Sequence, residues 1–168
     1  MESLELDDID LQLLEQLQTD CSLTNLQLAD RVQTSPPTCL RRLKRLRDAG
    51  LIEREIAILS ADKLAPVLGH GLCAIVEISL DRQGVEFLEA FELRVTGDAA
   101  VQQCYRVSPG PDFVLVVHVL GMDDYAALAQ RLFTGDANVR NVKAFFSIKR
   151  AKFGARLPIV ARPEPAAR

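Results

Sequence analysis

Residues 24–52 read TNLQLADRVQTSPPTCLRRLKRLRDAGLI, and their punctuation decides the fold of the amino-terminal third of the chain. Thr24 is suited to N-cap a short amphipathic helix carrying Leu28, Ala29 and Val32. Ser35 is suited to cap the next helix, with Pro36 at its first position, where a missing N–H has no partner to lose. Gly50 supplies the stop. The link Gln33-Thr34-Ser35 is three residues long and forces a sharp corner, not a parallel hairpin. Upstream, Ile9, Leu13, Leu14 and Leu17 mark the apolar stripe of a first helix. Three helices with that corner make a helix-turn-helix over residues 1–56.

The third helix concentrates charge. Arg41, Arg42, Lys44, Arg45 and Arg47 lie within seven positions, in a chain of net charge −3. Bulk electrostatics does not draw such a chain to a polyanion, so any attraction must come from this helix. Leu40, Leu43 and Leu46 are expected to face inward, leaving Pro37, Thr38, Arg41, Arg42 and Arg45 outward or at the margin. A row of arginines is often only a solvated face. After a capped corner, with small polar residues at its start, it matches a groove-reading helix. Ser35, Pro37, Thr38, Arg41, Arg42, Lys44 and Arg45 are the candidate DNA-binding residues, the first ones near base edges and the later arginines on phosphates. The acidic first helix is expected to brace the unit.

Residues 57–71, with a proline and two glycines, read as a connector after LIEREIAIL, itself a possible strand. Beyond it the pattern predicts a strand at 72–80, a helix at 84–95, strands at 100–107 and 113–120, a helix at 123–134 and a strand at 142–150. Phe87, Leu88, Phe91 and Val95 line one helix, and Tyr125, Leu128, Ala129, Leu132 and Phe133 the other. The order βαββαβ predicts a ferredoxin-like sandwich over 72–157. The fold class is therefore α+β: an N-terminal (winged) helix-turn-helix domain, then a ferredoxin-like domain.

The strand FVLVVHVL is apolar on both faces, and two helices cover only one. The second face predicts a homodimer packed sheet to sheet, with His118 in the core or on that interface. The Pro-, Ala- and Arg-rich tail 158–168 is expected to be disordered.

At 168 residues, with 48% hydrophobic and 26% charged, the chain can bury its cores without staples. Cys21, Cys39, Cys73 and Cys104 are too widely spaced for a zinc knuckle or a redox dithiol and read as buried small hydrophobes. No metal or cofactor is expected. There is no bilayer-length apolar run, and the acidic MESLELDDID is unlike a signal peptide, so a reducing cytoplasm is the expected location. GxGxxG, Walker-type and HExxH motifs are absent, and neither His70 nor His118 has a nucleophile motif around it, which argues against an enzyme. A protein-interaction module, its arginines meeting acids on a partner, is the other alternative.

The segment DDIDLQLLEQLQTDCSLTNLQLADRVQTSPPTCLRRLKRLRDAGLIER closely resembles the DNA-binding segment of the Lrp/AsnC transcription regulators. The residues that carry the likeness are Asp10, Leu28-Ala29, Ser35-Pro36, Arg42, Leu46 and Gly50-Leu51-Ile52, and it continues to about residue 157. The resemblance implies operator binding to double-stranded DNA, assembly beyond the dimer into tetramers or octamers, and an amino-acid effector. It places that effector near the turn Ser108-Pro109-Gly110-Pro111-Asp112 and the last strand, at Ser108, Gly110, Asp112, Val142 and Ala144. Pro109 stands where the family usually has Gly, and Val142 and Ala144 where it often has Thr. Fewer donors and hydroxyls imply an apolar amino acid or a weakened site.

Overall fold

The computed structural model describes residues 5–69 and 71–159, without the side chains of Asp62 and Leu68. His70 and tail residues 160–168 lie outside the described residues, so the expectations placed on them are not addressed. Pro158 and Ile159 carry no regular secondary structure.

The chain forms two compact units, one running to Ile58 and resuming at Lys152, the other Leu59–Ala151. The first holds α1 (Asp8–Thr19), α2 (Asn25–Arg31) and α3 (Pro36–Asp48). Each start is capped from the sequence. Asp7 and Asp10 form a reciprocal capping box on α1, Thr24 and Gln27 another on α2, and the Ser35 hydroxyl accepts from the Thr38 N–H with Pro36 at the first position of α3.

The ends of α2 and α3 are built alike. At the end of α3, Gly50 (φ 72°) lets its own N–H reach the Arg47 carbonyl while the Leu51 N–H reaches that of Leu46. At the corner, Gln33 (φ 51°) plays the same part: its N–H bonds the Asp30 carbonyl and the Thr34 N–H that of Ala29. Both are Schellman closures. The second places a non-glycine residue in the left-handed region to make the turn tight. The residues between the two helices are Val32–Ser35, and Val32 is buried.

The core of this unit is Leu13, Leu28, Ala29, Val32, Cys39, Leu43 and Leu46. Leu40, expected inside, is 57% exposed, and Cys39 takes its place beside Leu43 and Leu46. Both spacings are helical, so periodicity alone favoured the leucine. The stretch 51–60, where a wing strand would fall, forms no strand in the single chain.

From Lys152 the chain returns to this unit and lies along α1. The Gln18 carboxamide donates to the Leu157 carbonyl (3.1 Å) and accepts from its N–H (2.6 Å), and Arg156 pairs with Glu15. Residues 152–157 thus pack with the helical unit.

The second unit opens with α4 (Ala61–Leu68), a helix inside the expected connector, capped by Ser60 and tolerating Pro66 in its interior. It continues with β1 (Leu72–Leu80), α5 (Val85–Thr96), β2 (Val101–Arg106), β3 (Phe113–Val119), α6 (Met122–Ala129) with a π-helical turn over Gln130–Thr134, and β4 (Val139–Phe146). The sheet order β2-β3-β1-β4, antiparallel throughout, is the ferredoxin-like arrangement. The last strand begins and ends earlier than expected because its partner β1 sets its length, pairing Leu80 with Val139 and Ala74 with Phe146.

One face of the sheet is covered. Ala74, Val76, Ile78, Leu80, Phe113, Leu115 and Val117 pack against Phe91, Val95, Tyr125, Leu128, Leu132 and Phe133. The other face is open in the single chain, with Ile75 43%, Tyr105 52% and Phe145 53% exposed. His118, expected in the core or on a dimer interface, is exposed on this open face. Cys21 is likewise exposed, in the turn after α1, whereas Cys39 is buried.

Candidate nucleic-acid interface and effector site

The five basic residues of α3 divide into two groups. Asp10, at the third position of α1, is fully buried, and a buried carboxylate must be paired and hydrogen-bonded to be tolerated. Arg42 supplies one bond to it (2.9 Å) and a second to Asp7 (2.8 Å), and Arg45 supplies another to Asp10. The Asp7 N–H completes its shell. Arg42 consequently has only 17% of its side chain exposed. Asp10 first, then Asp7, hold its guanidinium more firmly protonated than usual.

Arg47, at the other end of α3, pairs with Glu55 at 2.7 Å. Arg41 and Lys44 are exposed and have no acidic partner among the described residues. The cations placed together by sequence thus part company: Arg42 and Arg45 turn toward α1, while Arg41 and Lys44 face outward. Of the other candidates, Ser35 and Pro37 are exposed. Thr38 is half-buried, and its hydroxyl oxygen accepts from Ser35 at 2.8 Å. Helical spacing puts Pro37, Leu40, Arg41 and Lys44 on a single outward stripe.

The effector candidates meet at one end of the sheet. Ile78 of β1 pairs with Phe113 on one side and Val142 on the other, so the 108–112 turn and β4 flank the same residue. Register puts Val142 and Ala144 on the helix-covered side. Ala144 packs into the core, and Val142 is 37% exposed. Asp112, one of the effector candidates, is already engaged. Its N–H donates to the Ile78 carbonyl (2.8 Å), and its carboxylate accepts from the Leu80 N–H (2.7 Å). β3 begins only at Phe113, so the carboxylate takes the place of a ladder acceptor for Leu80. Ser108 and Gly110 (φ 124°) are exposed at the turn's tip.

Among the described residues, no group of three or more His, Cys, Asp or Glu is placed to hold a metal ion. Burial pushes the thiols of Cys39, Cys73 and Cys104 up, away from the reactive thiolate form. No helix of the described residues is long and apolar enough to cross a membrane.

Residues 6–53 match the family model for winged helix-turn-helix DNA-binding domains, and residues 73–157 match that of the Lrp/AsnC ligand-binding domain. The chain belongs to the Lrp/AsnC family of transcriptional regulators. Among its Lrp/AsnC relatives, the leucine-responsive regulatory protein of Rhizobium meliloti is 33% identical over 155 residues, spanning 92% of this chain and 97% of the relative. The DNA-binding transcriptional activator DecR of Escherichia coli is 32% identical over 154 residues, 92% and 99% of the two chains. A transcriptional regulator of Neisseria meningitidis, solved as a complex with L-Met, superposes with a TM-score of 0.78 at 29% identity, covering 92% of this chain and 97% of that one. An Lrp/AsnC regulator of this build has a DNA-reading unit and a ligand-binding unit, as the two family models and the two compact units agree.

Removing the buried carboxylate should be costly. Asp10→Ala is expected to destabilise the helical unit by about 2 kcal/mol, because it removes the charged hydrogen bonds of Arg42 and Arg45 and leaves Arg42 with Asp7 alone, and urea unfolding followed by circular dichroism measures it. Acid should act on the same knot. The Asp10 N–H, then Arg42, holds the Asp7 carboxyl below the usual 3.8. Its ionised form therefore favours the fold above that value, and the contribution is lost as pH falls through the lower folded-state pKa. The stability difference between the native chain and Asp7→Ala should shrink as pH falls below about 4.

Proposed function

We propose that this regulator binds a two-fold symmetric operator as a homodimer or a higher assembly of dimers, α3 entering the major groove, and that a small amino acid modulates it. The observation that carries the reading is the outward pair Arg41 and Lys44 on a helix aimed by the Gln33 corner and held by Asp10. Two free cations on a groove-sized helix suit phosphates, and small residues at its N-terminal end suit base edges. Ser35, Pro37 and Thr38 lie at that end. Arg42 and Arg45 contribute chiefly by fixing the helix.

The open sheet face supplies the dimer contact. Ile75, Tyr105, Val114, Val116 and Phe145 make a surface of the kind that a second copy of the same sheet covers. A protein-interaction role for α3 alone is less well supported, because the apolar residues that share a stripe with its outward cations are Pro37 and Leu40, too few for an apolar docking face. The family's relatives are regulators, so the chain is read as a non-enzyme working beside DNA in the cytoplasm.

For the effector, Ser108, Gly110 and the Asp112 carboxylate offer polar contacts, and Val142 with the neighbouring Ala144 offers an apolar wall. That chemistry suits a zwitterion with an apolar side chain, consistent with the L-Met held by the Neisseria meningitidis relative.

Two experiments test these assignments. On a duplex selected from a random library, Arg41→Ala and Lys44→Ala should each reduce the slope of log affinity against log salt by about 1. Arg42→Ala should mainly lower the melting temperature. Equal slopes for Arg41→Ala and the native chain would remove Arg41 from the phosphate contacts. Calorimetric titration with an amino-acid panel should show heat for apolar members. Asp112→Asn, which keeps an acceptor for the Leu80 N–H but loses the charge, should weaken that binding by about 1 to 3 kcal/mol. Silence across the panel would refute an amino-acid effector.

A further inference from the structure

The structure gives Leu40 a setting that its hydrophobicity does not suggest. It is 57% exposed on α3 while its neighbours Cys39 and Leu43 are buried. Single exposed leucines are common and need no explanation. This one differs by position. It lies on the stripe Pro37, Leu40, Arg41, Lys44, the i, i+3, i+4, i+7 face opposite the core. The two cations on that stripe are the ones that lack acidic partners among the described residues. It also falls in the amino-terminal half of the helix, the part of a recognition helix that reaches base edges.

The stripe thus alternates an apolar spot with free positive charge. A lipid or a protein groove would need a wider apolar face than Pro37 and Leu40 supply. A DNA major groove presents phosphates at its walls and one apolar group on its floor, the thymine 5-methyl. The match in chemistry and in order along the helix is close. Arg41 and Lys44 meet the walls, and Leu40 meets the floor. Leucine has no donor or acceptor, so it cannot discriminate bases by hydrogen bonding, only by the methyl that cytosine and the purines lack at that edge.

We propose that Leu40 is a specificity-determining residue that reads a thymine 5-methyl group in each half-site, with Pro37 closing the same apolar contact. This rests on the proposed operator binding, which the experiment tests separately. The native chain is first used to select a duplex from a random library in the presence of excess unrelated DNA. Each thymine of that duplex is then replaced in turn by deoxyuridine, which keeps every hydrogen-bonding group and removes only the methyl. The affinities of the native chain and of Leu40→Ala are measured on the whole series.

At one thymine position per half-site, deoxyuridine should weaken the native chain about fourfold, the factor for one buried methyl group. The same replacement should leave Leu40→Ala unchanged. Leu40→Ala should melt at the same temperature as the native chain, since its side chain supports no core. A deoxyuridine series with no loss for the native chain overturns the proposal, as does a loss equally large in Leu40→Ala, which would give the methyl to another residue. If no duplex is selected over competitor, operator binding itself fails and the Leu40 reading falls with it.

Discussion

A carboxylate with no solvent at the heart of a small helical unit constrains everything around it. Asp10 sits at the third position of α1 with its side chain 1% exposed, and it is made tolerable by Arg42, Arg45 and the Asp7 N–H. Each of those groups is directional, so the arrangement admits one rotation of α3 against α1. Leu13, Cys39, Leu43 and Leu46 would pack with less precision if α3 turned, since an apolar core by itself tolerates several packings. The pairing therefore serves geometry more than net stability. It also decides which face of α3 looks outward, and hence which cations remain free for a polyanion.

The second unit obeys a different constraint. Its central strand β1 alternates, so a register that buries Ala74, Val76 and Ile78 on the helix side must present Cys73, Ile75 and Glu77 on the other. The open face is a consequence of that alternation combined with apolar residues on both sides of β1 and β3. At the end of the sheet the ladder runs out beside Leu80, and the Asp112 carboxylate substitutes for a strand. A turn that finishes the sheet in this way is rigidly placed, and a rigid turn is a suitable wall for a small ligand.

Much of this was legible in the chain itself, because it depends on local chemistry. Thr24, Ser35, Pro36 and Gly50 specify where helices start and stop whatever surrounds them, and β1 was legible residue for residue from its apolar run. What escaped was set by partners distant in sequence. The outward place of Leu40 follows from where α1 and α2 lie. The commitment of Arg42 and Arg45 follows from Asp10, more than thirty positions away, although Asp10 and Arg42 both stood among the family-like positions. The engaged Asp112 follows from where β3 begins, and the limits of β4 from the length of β1. The helix α4 was obscured by Pro66, which argues against a helix interior on local grounds.

In the proposed complex two copies of α3, each aimed by its Asp10 knot, enter successive major grooves of one duplex. Hydroxyl-radical and purine-methylation footprinting of the full chain on a selected duplex measures this directly. Two major-groove windows of protection are expected, related by a two-fold axis and separated by about one helical turn or a multiple of it. A single window, or protection confined to the minor groove, would contradict it.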